Sequence, residues 1–386
     1  MIQFKEPAIK KICIIAGEAS GDLHGASLVK VLRQSGEPMA LFGLGGPLLR
    51  ELGVEMVYPP PLNVVGFTEV VFKIFHLWKA YQTVKEALRD RKPDLIILID
   101  YPDMNLRLAT AAHKEKIPVL YYISPQVWAW RSGRVKNIAR DVDRMAVILP
   151  FEVEFYKSFG VPVEFVGHPL LDRMESSFPE GVARFPVNHQ ERALIGLLPG
   201  SRPTEIKTIL PVLLETAFQL TRRFGAKVQF VLPVANTLDS RTIQEKIRPY
   251  QDRGVLIELA TGDSLKTLAR CRQAIVASGT VTLEAAILGI PILIVYKVTP
   301  VNYWIARHLI DVPFVGLVNW VAGKKIIPEY IQGEAVPEAI IEGSIQYLEN
   351  AEYYQNTREE LLVVRNKLGA SGASRRVAQM ALEMIN

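Results

Sequence analysis

At 386 residues the chain is about twice the length of one ordinary domain, and 49% apolar with 22% charged residues is a globular balance that excludes wholesale disorder. A formal charge of +5 suits anionic ligands or an acidic surface, but no Lys/Arg block or RNA- or DNA-binding signature points to nucleic acid. Cys13 and Cys271 are the two cysteines, far apart in apolar runs, which excludes a disulfide framework or zinc spacing and suits a reducing cytoplasm.

The start of the chain lacks the apolar stretch of a signal peptide. The first strand-like run is Ile12–Ala16, and Ile14-Ile-Ala-Gly-Glu-Ala-Ser-Gly-Asp22 follows it into a predicted helix over Leu23–Gln34. Gly17, Gly21 and Gly25 are regularly spaced but form neither G-x-G-x-x-G nor a P-loop. The turn reads either as close helix–sheet packing or as a substrate contact; Gly43-Leu-Gly-Gly46 is a weaker version.

Between Val64 and Tyr81, Phe67, Val71, Ile74, Phe75 and Trp78 follow helical spacing, and Val70, Phe72 and Leu77 widen the apolar arc. Such a segment suits a membrane interface or acyl groove, and equally a helix buried on most sides. His76 reads as a solvated or satisfied histidine. A helix is expected over Leu77–Arg89.

Leu95–Ile99 is a fully apolar run of the kind that forms a parallel strand buried on both faces. Asp100 follows at its carboxyl end, where a carboxylate can take a proton from a hydroxyl nucleophile. Asp103 and Asn105 are candidates to orient it or a sugar; Asx capping fits Asp103 better than Asp100. Val119–Ile123 is the next strand, and Tyr122-Ile-Ser-Pro-Gln-Val-Trp-Ala-Trp-Arg131 reads as a sugar-binding or cleft-shaping stretch, or as packing of Trp128 and Trp130. Strands are also expected over Met145–Leu149 and Val163–Val166.

The rhythm breaks over Leu170–Gln190, and a fresh series begins at Ala193 with runs Leu194–Leu198, Val228–Leu232, Val255–Leu259, Ala274–Ala277 and Ile292–Tyr296. Repeated βα units of this kind predict an α/β chain of two Rossmann-like domains facing across a cleft, over 1–175 and 190–345, with C-terminal helices over 346–386 packing back on the first domain. Pro199-Gly-Ser-Arg-Pro-Thr-Glu205 runs from a strand into a helix predicted over Glu205–Arg223. Ser201 is placed to cap it, its free amides attract an anion, and Arg202 matches phosphate geometry. Ala277-Ser-Gly-Thr-Val-Thr-Leu-Glu284 repeats the arrangement ahead of a helix over Val281–Leu288: Gly279 permits close backbone approach, and Glu284 lies one turn after Thr280, where it suits ribose hydroxyls. The plain alternatives are ordinary βα turns. The longest uncharged apolar segment, Ala285–Tyr296, is too short and broken to span a bilayer, so any membrane contact is expected from the surface. No His/Cys/Asp/Glu cluster has metal spacing, and no cofactor is expected.

The combination of Gly17-Glu-Ala-Ser-Gly-Asp22, Ile99-Asp-Tyr-Pro-Asp-Met-Asn105, Ser124-Pro-Gln-Val-Trp-Ala-Trp130, Leu198-Pro-Gly-Ser-Arg202, Ala277-Ser-Gly-Thr-Val-Thr-Leu-Glu284 and Asn319-Trp-Val-Ala-Gly323 resembles the lipid-A-disaccharide synthase family. The motifs run in family order from the first strand past Gly323. The resemblance implies a GT-B glycosyltransferase that joins UDP-2,3-diacylglucosamine to 2,3-diacylglucosamine 1-phosphate with inversion. It implies donor binding by Ser201, Arg202, Ser278, Gly279, Thr280, Glu284 and Asn319, with Glu329 and Gln332 in the donor-side segment, and Asp100 as base. Gly17, Ser20, Asp22, Asp103, Asn105, Gln126 and Trp128 are the acceptor-side candidates. Phe67, Val71, Phe72, Phe75 and Trp78 are those for acyl chains or membrane. Tyr101 and Val281–Thr282 depart mildly from the pattern. The implied setting is the cytoplasmic face of the inner membrane of a Gram-negative-type bacterium, with an anionic lipid surface as partner and a homodimer left open. Two alternatives stand beside this: a UDP-sugar 2-epimerase of similar architecture, and a non-catalytic peripheral lipid-binding protein. A nicotinamide enzyme is disfavoured by the missing fingerprint.

Overall fold

The computed structural model describes residues 9–58, 69–128, 132–180, 192–234, 238–299, 303 and 313–386, with side chains left out at 69–74 and 132. The chain divides into two compact units: unit 1 is Met1–Asp172 with Ala370–Asn386, and unit 2 is Arg173–Gly369.

Unit 1 runs β1 (Lys10–Ala16), α1 (Ala19–Gln34), β2 (Met39–Leu44), α2 (Pro47–Glu51), β3 (Glu55–Met56), α3 (Glu69–Arg91), β4 (Leu95–Ile99), α4 (Pro102–Lys114), β5 (Val119–Tyr122), α5 (Val135–Asp141), β6 (Arg144–Val147), α6 (Glu152–Lys157) and β7 (Val163–Phe165), then α7 (Pro169–Ser177), which crosses into unit 2. Unit 2 continues with β8 (Ala193–Leu198), α8 (Pro203–Thr208), α9 (Leu210–Phe224), β9 (Val228–Pro233), α10 (Ser240–Gln251), β10 (Ile257–Ala260), α11 (Ser264–Ala269), β11 (Gln273–Ala277), α12 (Val281–Leu288), β12 (Ile292–Tyr296), α13 (Leu317–Ala322), β13 (Glu329–Ile331), α14 (Pro337–Glu349) and α15 (Ala351–Lys367). The last helix, α16 (Ala373–Ile385), returns to unit 1.

Each unit is built on a parallel sheet. The order is β3-β2-β1-β4-β5-β6-β7 in unit 1 and β10-β9-β8-β11-β12-β13 in unit 2. In both, the order reverses once, between β1 and β4 and between β8 and β11. At such a reversal the loops leave in opposite directions and open a crevice at the carboxyl ends of the strands.

The central strands are apolar on both faces. Cys13 and Ile15 of β1 join Ile96 and Leu98 of β4 on one side, while Ile12, Ile14, Leu95, Ile97 and Ile99 face the other. Val377, Ala378, Met380 and Ala381 of α16 complete that second layer. Asp172 anchors this helix by accepting the amides of Gly372, Ala373 and Ser374, and Arg376 donates to the Val166 carbonyl at 2.8 Å. Of the tail expected over 346–386, only this last helix belongs to unit 1. The Ile340 and Tyr347 side chains of α14 and Tyr354 of α15 pack in the core of unit 2.

The helix expected over Glu205–Arg223 is two helices. It breaks at Ile209, where Pro211 supplies no amide for a continuous hydrogen-bond ladder. The strands β2, β3 and β13 were not anticipated. Among the described residues no helix is long and apolar enough to cross a membrane.

Candidate functional site

In unit 1, β1 and β4 pair with Ala16 opposite Ile99, so Gly17 and Asp100 leave the sheet side by side at the order reversal. Asp100 and Tyr101 are both left-handed, at φ 48 each. That conformation costs a non-glycine residue about 1–3 kcal/mol. The Tyr101 ring lies over Gly17, where a Cβ would fall 2.2 Å from the ring. Glycine at 17 is therefore required by Tyr101.

The Asp100 amide donates to the Tyr122 carbonyl at 3.0 Å. Its carbonyl accepts from Asn105 Nδ2 at 2.7 Å and from the Tyr121 hydroxyl at 2.8 Å. Burial raises the pKa of the Asp100 carboxyl, the Tyr101 backbone opposes this, and the nearby Glu18 charge adds to it. A carboxylate raised in this way is a stronger base. Asn105 thus holds the backbone of Asp100. Asp103 pairs with Arg134 at 3.0 Å.

Among the acceptor-side candidates, Asp22 holds a neighbouring turn. Asp22 is buried, and its carboxylate accepts the amides of Gly46, Leu48 and Leu49 at 2.9–3.1 Å. It caps α2 and fixes the turn after β2. Ser20 and Gln126 are exposed and Trp128 is half-buried.

A residue that sequence reasoning missed organises the 124–128 stretch. Glu152 is buried at the start of α6 and accepts from Ser124 Oγ at 2.6 Å, Trp128 Nε1 at 3.1 Å and the Leu149 amide at 3.1 Å. Burial pushes its pKa up to about 7 against those hydrogen bonds. Tyr156 holds the Pro125 carbonyl at 2.9 Å, and Phe151 meets the Trp128 ring edge-on. In sequence Glu152 is one more acid in a helix's first turn, and nothing in its spacing marks it.

In unit 2 the turn after β8 departs from expectation. Gly200 has φ 104, a left-handed value that suits glycine, and a Cβ there would collide with Glu205. Glu205 folds back so that its Oε2 accepts the Ser201 amide at 2.9 Å and the Arg202 amide at 3.1 Å. The N-cap position is Arg202 rather than Ser201. The amides expected to hold an anion are met by the chain's own carboxylate. The Arg202 side chain is 78% exposed, with a long 3.4 Å contact to Glu205.

At the turn after β11, Ser278 Oγ donates to the Val315 carbonyl at 2.8 Å, and Thr282 Oγ1 to the Gly279 carbonyl at 2.9 Å. Gly279 is half-buried and Thr280 exposed, while Glu284 is buried. Burial raises the Glu284 pKa, opposed by Arg173. Arg173, which the sequence did not single out, reaches from α7 to Glu284 Oε1 at 3.2 Å and to Asp263 at 2.8 Å.

Three residues expected on the donor side make their described contacts within the fold. Asn319 is fully buried; its Nδ2 donates to the Ile327 carbonyl and Glu329 Oε1, and its Oδ1 accepts the amides of Ile326 and Ile327, all at 2.8–2.9 Å. Both donors and both lone pairs are used. Glu329 accepts the Val315 and Gly316 amides at 2.9 Å. Gln332, left-handed at φ 51, pairs both amide atoms with the backbone of Val298. These residues shape the loops at 297–299 and 313–316, including the Val315 carbonyl that receives Ser278.

On α3, Phe75 and Trp78 are 56% and 57% exposed with ring centroids 6.4 Å apart. His76 is satisfied by the Tyr58 hydroxyl at 2.8 Å. Phe67, the side chains of Val71 and Phe72, and Trp130 lie outside the described residues.

Comparison with known proteins bears on both units. The family profile described as Lipid-A-disaccharide synthetase matches residues 12–384. The chain is 45% identical over 378 residues to the lipid-A-disaccharide synthase of Geobacter sulfurreducens, covering 97% of each. It is 46% identical over 379 residues to that of Syntrophus aciditrophicus, covering 97% of this chain and 98% of that one. Among solved structures, a UDP-GlcNAc 2-epimerase from Neisseria meningitidis bound to UDP-GlcNAc matches with TM-score 0.63 at 16% identity, over 97% of this chain and 100% of that one. The calicheamicin glycosyltransferase CalG4 matches with TM-score 0.62 at 16% identity, over 98% of each. At such identities epimerase and glycosyltransferase alike share only the fold, which is the GT-B architecture.

Proposed function

The chain belongs to the lipid-A-disaccharide synthase family and is a glycosyltransferase of lipid A disaccharide synthesis, and on that premise we propose that it joins UDP-2,3-diacylglucosamine to 2,3-diacylglucosamine 1-phosphate with inversion. Asp100 takes the proton from the acceptor's 6-hydroxyl. That oxygen forms a bond to the donor's anomeric carbon as the bond from this carbon to the diphosphate breaks. The products are the β(1→6) disaccharide 1-phosphate and UDP.

Arg202 offsets the charge gathering on the departing diphosphate. Glu284, held by Arg173, accepts the ribose hydroxyls, and the Ser278–Gly279–Thr280 turn lies against the nucleotide. Gln126 and Trp128 serve the acceptor sugar. The exposed Phe75 and Trp78 meet acyl chains at an anionic membrane surface, with the enzyme held peripherally on the cytoplasmic side of the inner membrane.

The observation that carries the chemistry is the Asp100 carboxyl, raised in pKa by burial at the order reversal of the first sheet. Purified protein supplied with the diacylated UDP-sugar and the monosaccharide phosphate should release UDP and form disaccharide in equal amounts, and Asp100→Ala should cut both to a small residual rate. Full activity in Asp100→Ala would remove the base. An epimerised UDP-sugar in place of disaccharide would favour the epimerase reading, which the shared fold alone does not support better.

A further inference from the structure

The left-handed pair at the end of β4 calls for an explanation. Asp100 and Tyr101 both sit at φ 48. Residues with a Cβ visit that region singly, chiefly as Asn or Asp. A consecutive pair persists only where the surroundings over-determine it.

Here the surroundings converge on one atom. The Asp100 carbonyl oxygen receives Asn105 Nδ2 and the Tyr121 hydroxyl, at 2.7 and 2.8 Å. Both donors belong to fully buried residues. The Asp100 amide is tied to the Tyr122 carbonyl across the sheet. The backbone on either side of the Asp100 Cα is therefore bound to the interior, and the direction of its side chain follows. Asn105 gives its second amide hydrogen to the Ile99 carbonyl at 3.1 Å. Its Oδ1 is buried without a hydrogen-bond partner. An orphan acceptor of this kind is costly in a packed core. A side chain chosen for stability alone would not leave one there.

We propose that Asn105 and Tyr121 are positioning residues for the transfer: they clamp the Asp100 carbonyl inward and so fix where its carboxylate meets the acceptor hydroxyl. This rests on the reading of Asp100 as the base. Neither residue touches a reacting atom.

The test is steady-state kinetics on the full-length enzyme, with folding checked by circular dichroism and melting. Asn105→Ala should lower kcat about 100-fold, the scale of a 1 Å misplacement of a catalytic group, with both KM values unchanged. Tyr121→Phe, which deletes one hydroxyl from an otherwise intact ring, should lower kcat about 10-fold through loss of one hydrogen bond. It decides the matter if Asn105→Ala fails to fold. In both variants the acid limb of the pH–rate profile should move to lower pH as the carboxylate becomes better solvated. Adding Asn105→Ala to Asp100→Ala should lower the residual rate no further. Wild-type kcat in Tyr121→Phe and Asn105→Ala, with Asp100→Ala cut to its residual rate, overturns the clamp and leaves the base standing. Full activity in Asp100→Ala overturns the base and the clamp with it. An equal loss from Asn105→Ala in the Asp100→Ala background also overturns the clamp, because Asn105 would then act independently of Asp100.

Discussion

Gly17→Ala should disable the enzyme while leaving it folded. An alanine Cβ at 17 would fall 2.2 Å from Cδ1, 2.5 Å from Cγ and 2.6 Å from Cε1 of Tyr101. Carbon atoms rest about 3.5–4.0 Å apart, so the ring must retreat by about 1.5 Å. Tyr101 is covalently next to Asp100 and shares its left-handed geometry, so the retreat passes to the peptide that carries the carboxylate. Overpacking of this size costs about 1–3 kcal/mol. At roughly 2–4 °C per kcal/mol that lowers Tm by about 2–12 °C. The catalytic cost is larger, about 100-fold in kcat for a displacement near 1 Å. The assay is UDP release at saturating substrates, paired with a melting curve. Tyr101→Ala in the same chain removes the obstructing ring and should restore most of the lost kcat. Wild-type turnover in Gly17→Ala, or a double variant no better than the single one, would refute the packing argument.

Two further outcomes follow from other parts of the molecule. Arg173→Met should weaken UDP binding by about 10- to 100-fold, the range for losing a charge-assisted hydrogen bond, and should erase the preference for UDP over 2′-deoxy-UDP measured by calorimetry. A preserved preference would detach Arg173 from the ribose carboxylate. Stability should also fall on the acid side, because burial lowers the pKa of His168 to about 3 and of His24 to about 4, from 6.5. Both folded values lie below the unfolded one, so the unfolded chain binds more protons in that window. The contribution is therefore complete above pH 6.5 and lost as pH falls towards 4 and then 3. His168→Asn, which keeps an acceptor for the Leu170 amide, should flatten the decline of Tm with acid, and an unchanged slope would exonerate this histidine.

What was legible in the sequence is what local pattern determines. Leu95–Ile99 has five apolar residues in a row, a strand buried on both faces, and so Asp100 could be placed at a carboxyl end before any fold was known. The α12 helix begins and ends where its flanking residues say, with Gly289 left-handed at its C-cap. The edge strand β13 was hidden because Glu-Tyr-Ile is too short and too polar to carry a period. In β2, the glycine at 43 interrupts the apolar run. Glu152 and Arg173 were hidden for a different reason: each acts on residues far along the chain, Ser124 in one case and Asp263 and Glu284 in the other. The left-handed turn at Asp100 is likewise set by Tyr121 from a neighbouring strand. Only tertiary structure brings such partners together.

The same distinction decides which motif residues are able to meet a ligand. A side chain has a fixed number of donors and acceptors, and those already used inside the fold cannot also bind substrate. Asn319 has none left, and the Asp22 carboxylate spends three of its roughly four acceptor sites on the turn after β2. Their value lies in the loops they hold. The turn at Gly200 is subtler, because Glu205 has taken the amides of Ser201 and Arg202. A diphosphate on those amides would face that carboxylate at close range, and two like charges 4 Å apart near a surface repel by about 4 kcal/mol. Arg202 carries no such obstacle, since its side chain is mostly in solvent and its contact with Glu205 is long. In the proposed reaction the diphosphate therefore draws on the Arg202 side chain first. The backbone amides become available only when Glu205 gives them up.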